Sequence, residues 1–284
     1  MTPPGPAAAL QLRSPAKLNL FLHITGRRDD GYHLLQTVFQ LLDFGDDVQL
    51  SATDDGLITL ECPGVDVATQ DNLAFRAAAA LQARSGSSAG AHIRIEKRIP
   101  AGGGLGGGSS NAATVLLGLN SLWQTGLSSD ELADIGLHLG ADVPVFVRGH
   151  SAWAEGVGEA ITPVQIPPRH YLVVAPACSV STAEVFRHRE LTRNSAPITI
   201  AAFFAGGGRN DCESVVRQLY PEVDNALNFL ENFGTARLTG TGGCVFLTLD
   251  SASAAAAVQA QLPSAWRSFT AAGVDRSPAL DALN

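Results

Sequence analysis

The sequence PAGGGLGGGSS at positions 100–110 holds six glycines within seven residues, between a strand-like segment and a helix-like segment. Glycine has no Cβ, so such a loop can bring its backbone N–H groups directly against phosphate oxygens. The start of the following helix adds free amides and its dipole to the same anion site. A purely structural turn is disfavoured, because so many glycines cost conformational entropy without any gain. The sequence therefore predicts a phosphate-binding loop made of Pro100, Ala101, Gly102, Gly103, Gly104, Leu105, Gly106, Gly107, Gly108, Ser109 and Ser110.

Other glycine-rich phosphate loops fit this stretch poorly. A Walker A loop needs Gly-Lys followed by Ser or Thr, and this pair of residues occurs nowhere in the chain. A dinucleotide-binding loop needs an acidic residue at a strand end about 20 residues further on, whereas residues 123–129 show no strand pattern. A protein kinase needs an H-R-D segment, which is absent. The loop is therefore typical of a different class of nucleotide-binding protein.

The segments around the loop predict alternating strands and helices. Apolar Leu18, Leu20, Leu22 and Ile24 alternate with other residues, which predicts a strand whose opposite face carries Lys17 and Asn19 together. Ser128 and Glu131 have the spacing of a capping box at a helix start. We further predict strands over 34–42, 48–53, 57–61, 91–98, 171–175, 236–239 and 244–249, a helix capped by Asp71, and a helix over 111–123.

Composition excludes several classes of function. The chain has 284 residues and a net charge of -8, which argues against general nucleic-acid binding because that needs a basic face. The four cysteines form no C-x-x-C pair, so we expect no structural zinc site. The first residues lack the pattern of a signal peptide, and no apolar run reaches about 20 residues, so we expect a cytoplasmic protein. Lys17 and Lys97 are the only lysines among 19 basic residues.

Three segments, taken in order, resemble the three motifs of the GHMP kinases: SPAKLNL at 14–20, the glycine-rich loop with its flanks, and LTGTGGCVF at 238–246. The segments DGYH at 30–33, LGADVP at 139–144 and EGVGE at 155–159 narrow the resemblance. They are similar to the branch whose members phosphorylate a cytidine-diphosphate-linked sugar alcohol. The resemblance runs from about Ser14 to the end of the sequence.

The resemblance implies an α+β, two-domain GHMP kinase fold. Residues 1–163 would form an N-terminal, ATP-binding α/β domain, and residues 164–284 a C-terminal α/β sandwich that binds the other substrate. The active site would lie in the cleft between them. The implied reaction transfers the γ-phosphate of ATP to the 2-hydroxyl of 4-diphosphocytidyl-2-C-methyl-D-erythritol, in non-mevalonate isoprenoid biosynthesis. ATP would react as its Mg²⁺ complex, without an obvious acidic protein ligand for the metal. Whether the protein is a monomer or a homodimer stays open.

The resemblance also implies roles for single residues. Asp142 would accept the proton of the attacking hydroxyl, and Lys17 would orient that hydroxyl or neutralise the transferring phosphate. Without the motifs, Asp142 would simply be a turn residue before a proline, and Lys17 an exposed lysine on an edge strand. The remaining predicted positions are Asn72 and Lys97 near the adenine and ribose of ATP, Asn19 on the polyol, Tyr32, His33, Thr182 and Phe186 around the cytosine, and Gly240 and Thr241 in the third motif.

Three alternatives compete with this hypothesis. A GHMP kinase for another alcohol, such as homoserine or mevalonate, would give the aromatic ring of Tyr32 no base to stack on. A nucleotide-binding module without catalysis would keep the loop but could lose Lys17 or Asp142, and both are present. A nicotinamide-dependent oxidoreductase lacks its acidic partner. The role of the third motif stays open between two possibilities: its glycines could contact substrate, or they could only pack against the loop.

Overall fold

A computed structural model of the chain describes residues 9–29 and 31–283. Asp30, which belongs to the DGYH segment, lies outside the described residues, as do residues 1–8 and residue 284. Ten strands are described: β1 Ala9–Arg27, β2 His33–Thr53, β3 Ile58–Glu61, β4 Gly90–Glu96, β5 Ala152–Gly156, β6 Ala160–Pro163, β7 His170–Ala175, β8 Ala236–Leu238, β9 Val245–Leu249 and β10 Arg267–Val274.

The same ranges contain ten α-helices, several of which follow one another without a strand between them. They are α1 Leu73–Ser85, α2 Gly107–Leu122, α3 Ser129–Leu139, α4 Val143–Arg148, α5 Thr182–Arg187, α6 Ile200–Phe204, α7 Glu213–Leu219, α8 Pro221–Leu230, α9 Ala252–Gln259 and α10 Pro278–Asp281. The predicted capping box at the start of α3 is confirmed, with the Ser128 side chain accepting from the Glu131 amide and the Glu131 side chain from the Ser128 amide. None of the helices in the described ranges is both long and apolar enough to span a membrane.

The strand β2 organises the sheet. It pairs antiparallel with β1, β4, β5 and β10, so it joins strands from the first and the second half of the chain. Beyond β10 the sheet continues through β7 and β9 to β8. The pairing of β1 with β2 shifts register between Pro15 and Lys17 and again between Asn19 and Leu22. Such irregularities re-aim side chains, and here they flank the lysine and asparagine that the sequence singled out.

Three expected element boundaries were wrong. Residues 34–42 and 48–53 form one continuous strand, β2, because the intervening Asp46 is buried and bonded rather than turned to solvent. The helix after the glycine loop begins at Gly107 instead of Asn111, so the last glycines of the loop are already helical. Asn72, and not Asp71, caps α1, because its side chain accepts a hydrogen bond from the amide of Ala74.

Three hydrophobic cores hold these elements. The first lies between β2, β4 and helices α1 to α4, with Leu50, Ile93 and Leu116 fully buried. The second lies between strands β7 to β9 and the later helices, with Leu172 and Leu227 at its centre. The third joins the two halves and includes side chains on both sides of residue 163. The candidate site lies where β1, the glycine loop and the turn before β9 meet.

Candidate active site

The glycine-rich loop forms one wall of a cavity of about 410 Å³. Every residue predicted to bind ATP lines this cavity except Ser110. The first turn of α2 opens into it at Gly107, so the unpaired amides at the start of a 16-residue helix face the same space. Backbone amides and a helix N-terminus together are suited to bind phosphate groups. Ser110 is buried beneath this surface, where its hydroxyl accepts a hydrogen bond of 2.8 Å from Ser14.

The third motif packs directly against the loop. Gly243 and Cys244 donate backbone hydrogen bonds of 3.2 Å to the carbonyl oxygens of Gly102 and Gly103. A Cβ on Gly104 would collide with the carbonyl of Thr239, and the φ of +75° at Gly104 also favours glycine. This close backbone contact is the packing role that the sequence left open for the motif. Whether these glycines also touch substrate stays a prediction.

Lys17 lies at the junction of the loop and β1, and its side chain is only 4% exposed. Its ammonium group donates to Asn19 Oδ1 at 2.5 Å and to the carbonyl oxygen of Gly104 at 3.0 Å. Its third partner is Asp142 Oδ2, 3.4 Å away. The hydrogen bond to Asn19 agrees with the predicted common face of the two residues. Lys17 is therefore not an exposed lysine of an edge strand, which is what it would be expected to be without the motifs.

Asp142 stands at the N-cap position of α4, just after the end of α3. Its carboxylate accepts no capping hydrogen bond from α4, all of whose residues are described. The side chain is 34% exposed and points one oxygen at Lys17. An ionised carboxylate that is open to a ligand and held beside a fixed ammonium is suited to accept a proton from a bound hydroxyl.

A buried polar cluster supports the loop from below. The carboxylate of Asp46 is fully buried and pairs with Lys97 Nζ, while its Oδ1 accepts from the amides of Arg98 at 2.7 Å and Ile99 at 2.8 Å. Asn111, on α2, accepts from Lys97 at 2.9 Å and donates to Asp46 at 2.9 Å. Lys97 thus anchors the strand end that leads into the loop, beside the cavity. No local pattern indicates Asp46, because its partners lie 51 to 65 residues away in the sequence.

The residues predicted to hold the second substrate form a connected row that starts at Lys17. Gly240 packs against Asn19, and a Cβ on Gly240 would lie 3.3 Å from Asn19 Oδ1. Thr241 bonds through its hydroxyl to that of Thr182, at 2.8 Å, at the start of α5. Phe186 lies one turn further along α5. Tyr32, directly before β2, is 67% exposed, so its ring lies at the surface and not in a hydrophobic core.

His33 and Phe186 are in contact with each other. Their rings stack with centroids 4.8 Å apart and planes inclined by 21°. Burial lowers the pKa of His33, and the cations of Arg193 and Arg27 lower this pKa further. The ring is therefore neutral at neutral pH, because the ordinary histidine pKa already lies near 6.5. A neutral imidazole presents one donor and one acceptor, as recognition of a base edge requires.

Sequence reasoning missed three residues of this site. Thr239 accepts from the amide of Asn19 at 3.0 Å and donates to the Gly104 carbonyl at 3.3 Å. Asn210 donates to the carbonyl of Gly240 at 2.8 Å. Arg193 Nε donates to His33 Nε2 at 3.3 Å. Thr239 sits inside a motif that could have indicated it, whereas Asn210 and Arg193 meet the site only through the fold.

Within residues 9–29 and 31–283, no group of three His, Cys, Asp or Glu side chains could hold a metal ion. The cavity lining does include a carboxylate, on Asp71, and a hydroxyl, on Ser109, which are oxygen ligands of the kind that Mg²⁺ prefers. A Cβ on Gly140, two residues before Asp142, would lie 3.7 Å from Ser109 Oγ. Ser109 and the segment that carries Asp142 are therefore neighbours in the site.

Comparisons with known proteins agree with this geometry. Residues 72–150 match the family model described as the GHMP kinases N terminal domain, and residues 189–268 match that of the GHMP kinases C terminal. The 4-diphosphocytidyl-2-C-methyl-D-erythritol kinase of Halorhodospira halophila is 56% identical over 93% of this chain and 93% of its own length. The enzyme of the same name from Nitrosococcus oceani is 53% identical over 95% of this chain and 96% of its own length.

A solved structure gives the same result at the level of the fold. The crystal structure of a 4-(cytidine 5'-diphospho)-2C-methyl-D-erythritol kinase aligns with a TM-score of 0.81 and 32% identity, over 93% of this chain and 99% of that one. The expected GHMP kinase fold, an α+β architecture, is confirmed. Since both halves match GHMP models and whole-length relatives exceed half identity, the chain belongs to the 4-diphosphocytidyl-2-C-methyl-D-erythritol kinase family of the GHMP kinases.

Proposed function

We propose that the chain transfers the γ-phosphoryl group of ATP to the 2-hydroxyl of 4-diphosphocytidyl-2-C-methyl-D-erythritol, which gives the 2-phosphate and ADP. The observation that carries this proposal is the contact of 3.4 Å between Lys17 Nζ and Asp142 Oδ2. The same ammonium group bonds the glycine loop through the carbonyl of Gly104. A proton acceptor and a cation are thus held together at the edge of a phosphate-binding surface, as phosphoryl transfer requires.

The nucleotide occupies the cavity along the loop. The backbone amides of residues 102–108 and the start of α2 bind the phosphates, and Asn72 and Lys97, which line the same cavity, contact the ribose and adenine. ATP would bind as its Mg²⁺ complex, which would lower the negative charge on the phosphates. Ser109, which lines the cavity, would offer the ion a hydroxyl, whereas the Ser110 hydroxyl is buried and accepts from Ser14.

Asp142 and Lys17 act on the acceptor hydroxyl. The carboxylate of Asp142 accepts the hydroxyl proton as the oxygen attacks the γ-phosphorus. Lys17 stays in place, because Asn19 and the Gly104 carbonyl hold its ammonium from two sides. Its charge stabilises the transferring phosphoryl group, whose negative charge grows on the outer oxygens. Asn19 positions Lys17, and its amide also donates to Thr37 Oγ1 at 2.9 Å.

The cytidine end of the substrate lies along the row from Gly240 to His33. Thr182 and Thr241 offer hydroxyls near its diphosphate, and Tyr32, His33 and Phe186 supply flat faces and a polar edge for the base. Stacking on aromatic rings contributes about 1–3 kcal/mol per base and tolerates any base. Selectivity for cytosine therefore depends on hydrogen bonds to its edge.

An ADP-release assay tests the function. The protein is offered ATP and Mg²⁺ with the cytidyl-methylerythritol substrate, and in parallel with homoserine or mevalonate. We expect turnover of the cytidyl substrate and none of the other two. Turnover of homoserine or mevalonate alone would contradict the assignment, and ADP release without any acceptor would indicate a plain ATPase. The small-molecule partners proposed here are ATP and the cytidine-diphosphate-linked alcohol.

A further inference from the structure

Arg193 contacts both sides of the base pocket, although no motif of the sequence contains it. Its Nε donates to His33 Nε2 at 3.3 Å. Its Nη2 donates to the carbonyl oxygens of Phe186 and His188, both at 2.8 Å, at the end of α5. A guanidinium group is planar and its donors have fixed directions. The ring at the start of β2 and the helix end that carries Phe186 are therefore fixed relative to each other by one side chain.

The direction of the hydrogen bond determines where the proton of His33 lies. An arginine in a protein stays protonated and can only donate, so His33 Nε2 must accept with its lone pair. A neutral imidazole carries a single N–H group. With Nε2 as the acceptor, this N–H group is on Nδ1. The tautomer of His33 is thus set by Arg193, since the opposite tautomer would direct two N–H groups at each other.

The surroundings of the ring keep it neutral. Burial lowers the pKa of His33, and both cations that act on it, Arg193 and Arg27, lower it as well. The imidazolium form would also place an N–H group on Nε2, against the guanidinium. The neutral Nδ1–H form is therefore favoured by hydrogen bonding and by charge together.

A fixed Nδ1–H group distinguishes two pyrimidines. The edge of cytosine carries acceptors at O2 and N3, whereas uracil carries an N–H donor at N3. A donor directed at N3 pairs with cytosine and opposes the N3–H group of uracil, whereas a donor directed at O2 would pair with both bases. A polar group left unpaired in a closed site reduces affinity. We propose that Arg193 is a positioning residue that holds His33 as its Nδ1–H tautomer, and so makes the pocket favour a cytidine over a uridine diphosphate. This selectivity rests on the proposed function, whereas the tautomer does not.

The first experiment needs no substrate. Nitrogen-15 NMR of the imidazole groups, assigned through a His33→Gln variant, reports which ring nitrogen of His33 carries the proton. We expect Nδ1 to be protonated in the wild-type protein at pH 7.5, and Arg193→Met to produce a substantial Nε2–H population. Methionine has a similar unbranched stem but no donor. A wild-type ring protonated on Nε2 would overturn the proposal without any variant, and so would an unchanged tautomer in Arg193→Met.

The second experiment measures selectivity by calorimetry with CDP and UDP as probes. We expect the wild-type protein to bind CDP about tenfold more tightly than UDP, as one mismatched hydrogen bond predicts. Arg193→Met should lose most of this preference while its affinity for ATP stays within about twofold of wild type. Arg189→Met is the matched control, because Arg189 is 89% exposed on the same segment. It should keep the preference for CDP.

The outcomes separate the proposal from the function on which it rests. If Arg193→Met weakened the binding of CDP and of UDP equally, Arg193 would have only a structural role, and the proposed selectivity would be overturned. A wild-type protein that neither binds CDP nor phosphorylates the cytidyl substrate would contradict the proposed function. In that case the position of the proton on His33 would still decide whether Arg193 fixes the ring.

Discussion

The ammonium group of Lys17 donates hydrogen bonds to Asn19 and to the Gly104 carbonyl, and it forms an ion pair with Asp142 at 3.4 Å. The flexible side chain is thereby held as a fixed point charge. The space around it is small, since a Cβ on Gly106 would lie 3.2 Å from Lys17 Cε. A compact ammonium group suits this position, in a chain whose other basic residues are almost all arginine.

Replacing Asp142 by Asn is expected to lower kcat by about 100-fold or more, because the amide cannot accept the hydroxyl proton. The KM for ATP should change little, since Asp142 is not among the residues that line the nucleotide cavity. Steady-state kinetics with the cytidyl substrate checks both values.

The control for this variant is Asp130→Asn, at an exposed aspartate whose carboxylate pairs with Arg148 at 2.9 Å. It should keep the wild-type kcat. A normal kcat in Asp142→Asn would remove this residue from the role of proton acceptor.

Single residues were predictable from the sequence where the local pattern carried them. The alternation in β1 placed Lys17 and Asn19 on one face, and their hydrogen bond agrees with it. Arg193 was not predictable, because its importance comes from meeting His33 across 160 positions of sequence. The roles of the predicted site residues remain proposals that the variants must test.

The start of α2 shows how an element can be adapted to a ligand. Gly106 takes the N-cap position with φ of +72°, and no side chain caps the helix within the described residues. Glycine is a poor helix former, so propensity alone predicted a start at Asn111. The glycines nevertheless continue into the first turn, where a Cβ on Gly107 would lie 3.1 Å from Ile99 Cγ2 and 3.2 Å from Lys97 Nζ.

Gly104→Ala is expected to abolish measurable ATP binding or to unfold the loop, because a Cβ at this position meets the backbone of Thr239 and Gly242. Backbone atoms cannot rotate away, so the loop and the third motif must separate. Calorimetric titration with ATP and a thermal unfolding curve check the two effects.

Gly126→Ala separates this collision from the cost of the backbone conformation. Gly126 also has a positive φ, +70°, but nothing lies within 4 Å of its Cβ position. We expect a loss of about 1 kcal/mol in the free energy of unfolding and unchanged ATP binding. If both variants behave alike, the close approach of the two turns is unimportant.

The strand β2 was predicted as two strands, 34–42 and 48–53, with residues 43–47, DFGDD, between them. The chain continues through them as a strand, since the buried carboxylate of Asp46 is satisfied by Lys97 and by the amides of Arg98 and Ile99, just after β4. A buried aspartate needs such partners, and they are distant in sequence. Local patterns therefore identified both ends of β2 but could not identify its middle.

At the scale of the whole molecule, the third core decides how the two halves behave. Trp153 and Ile166 stand on either side of residue 163 and belong to the same buried cluster. The pairing of β10 with β2 also crosses this position. The division into domains at 1–163 and 164–284 stays a prediction. A shared core and a shared sheet lead us to expect that neither half unfolds alone.

The three tryptophans can test this expectation, because each reports on a different core. Trp123 packs against the first, Trp266 against the second, and Trp153 lies within the third. Three variants that each keep one tryptophan and replace the others by Phe should give coincident urea unfolding curves, as a cooperative transition requires. An earlier transition at Trp266 alone would instead indicate a C-terminal half that unfolds independently.

Both side-chain amines of this protein stand at the candidate site, Lys17 against Asp142 and Lys97 against Asp46. Acylating reagents and cyanate attack amines and leave guanidinium groups intact at neutral pH. Any label on a lysine of this protein is therefore a label at the candidate site. Cyanate also modifies the N-terminal amine, so carbamylation would be followed at Lys17 and Lys97 separately, by peptide mass spectrometry. The protection of these two residues by nucleotide would measure how completely the site is filled.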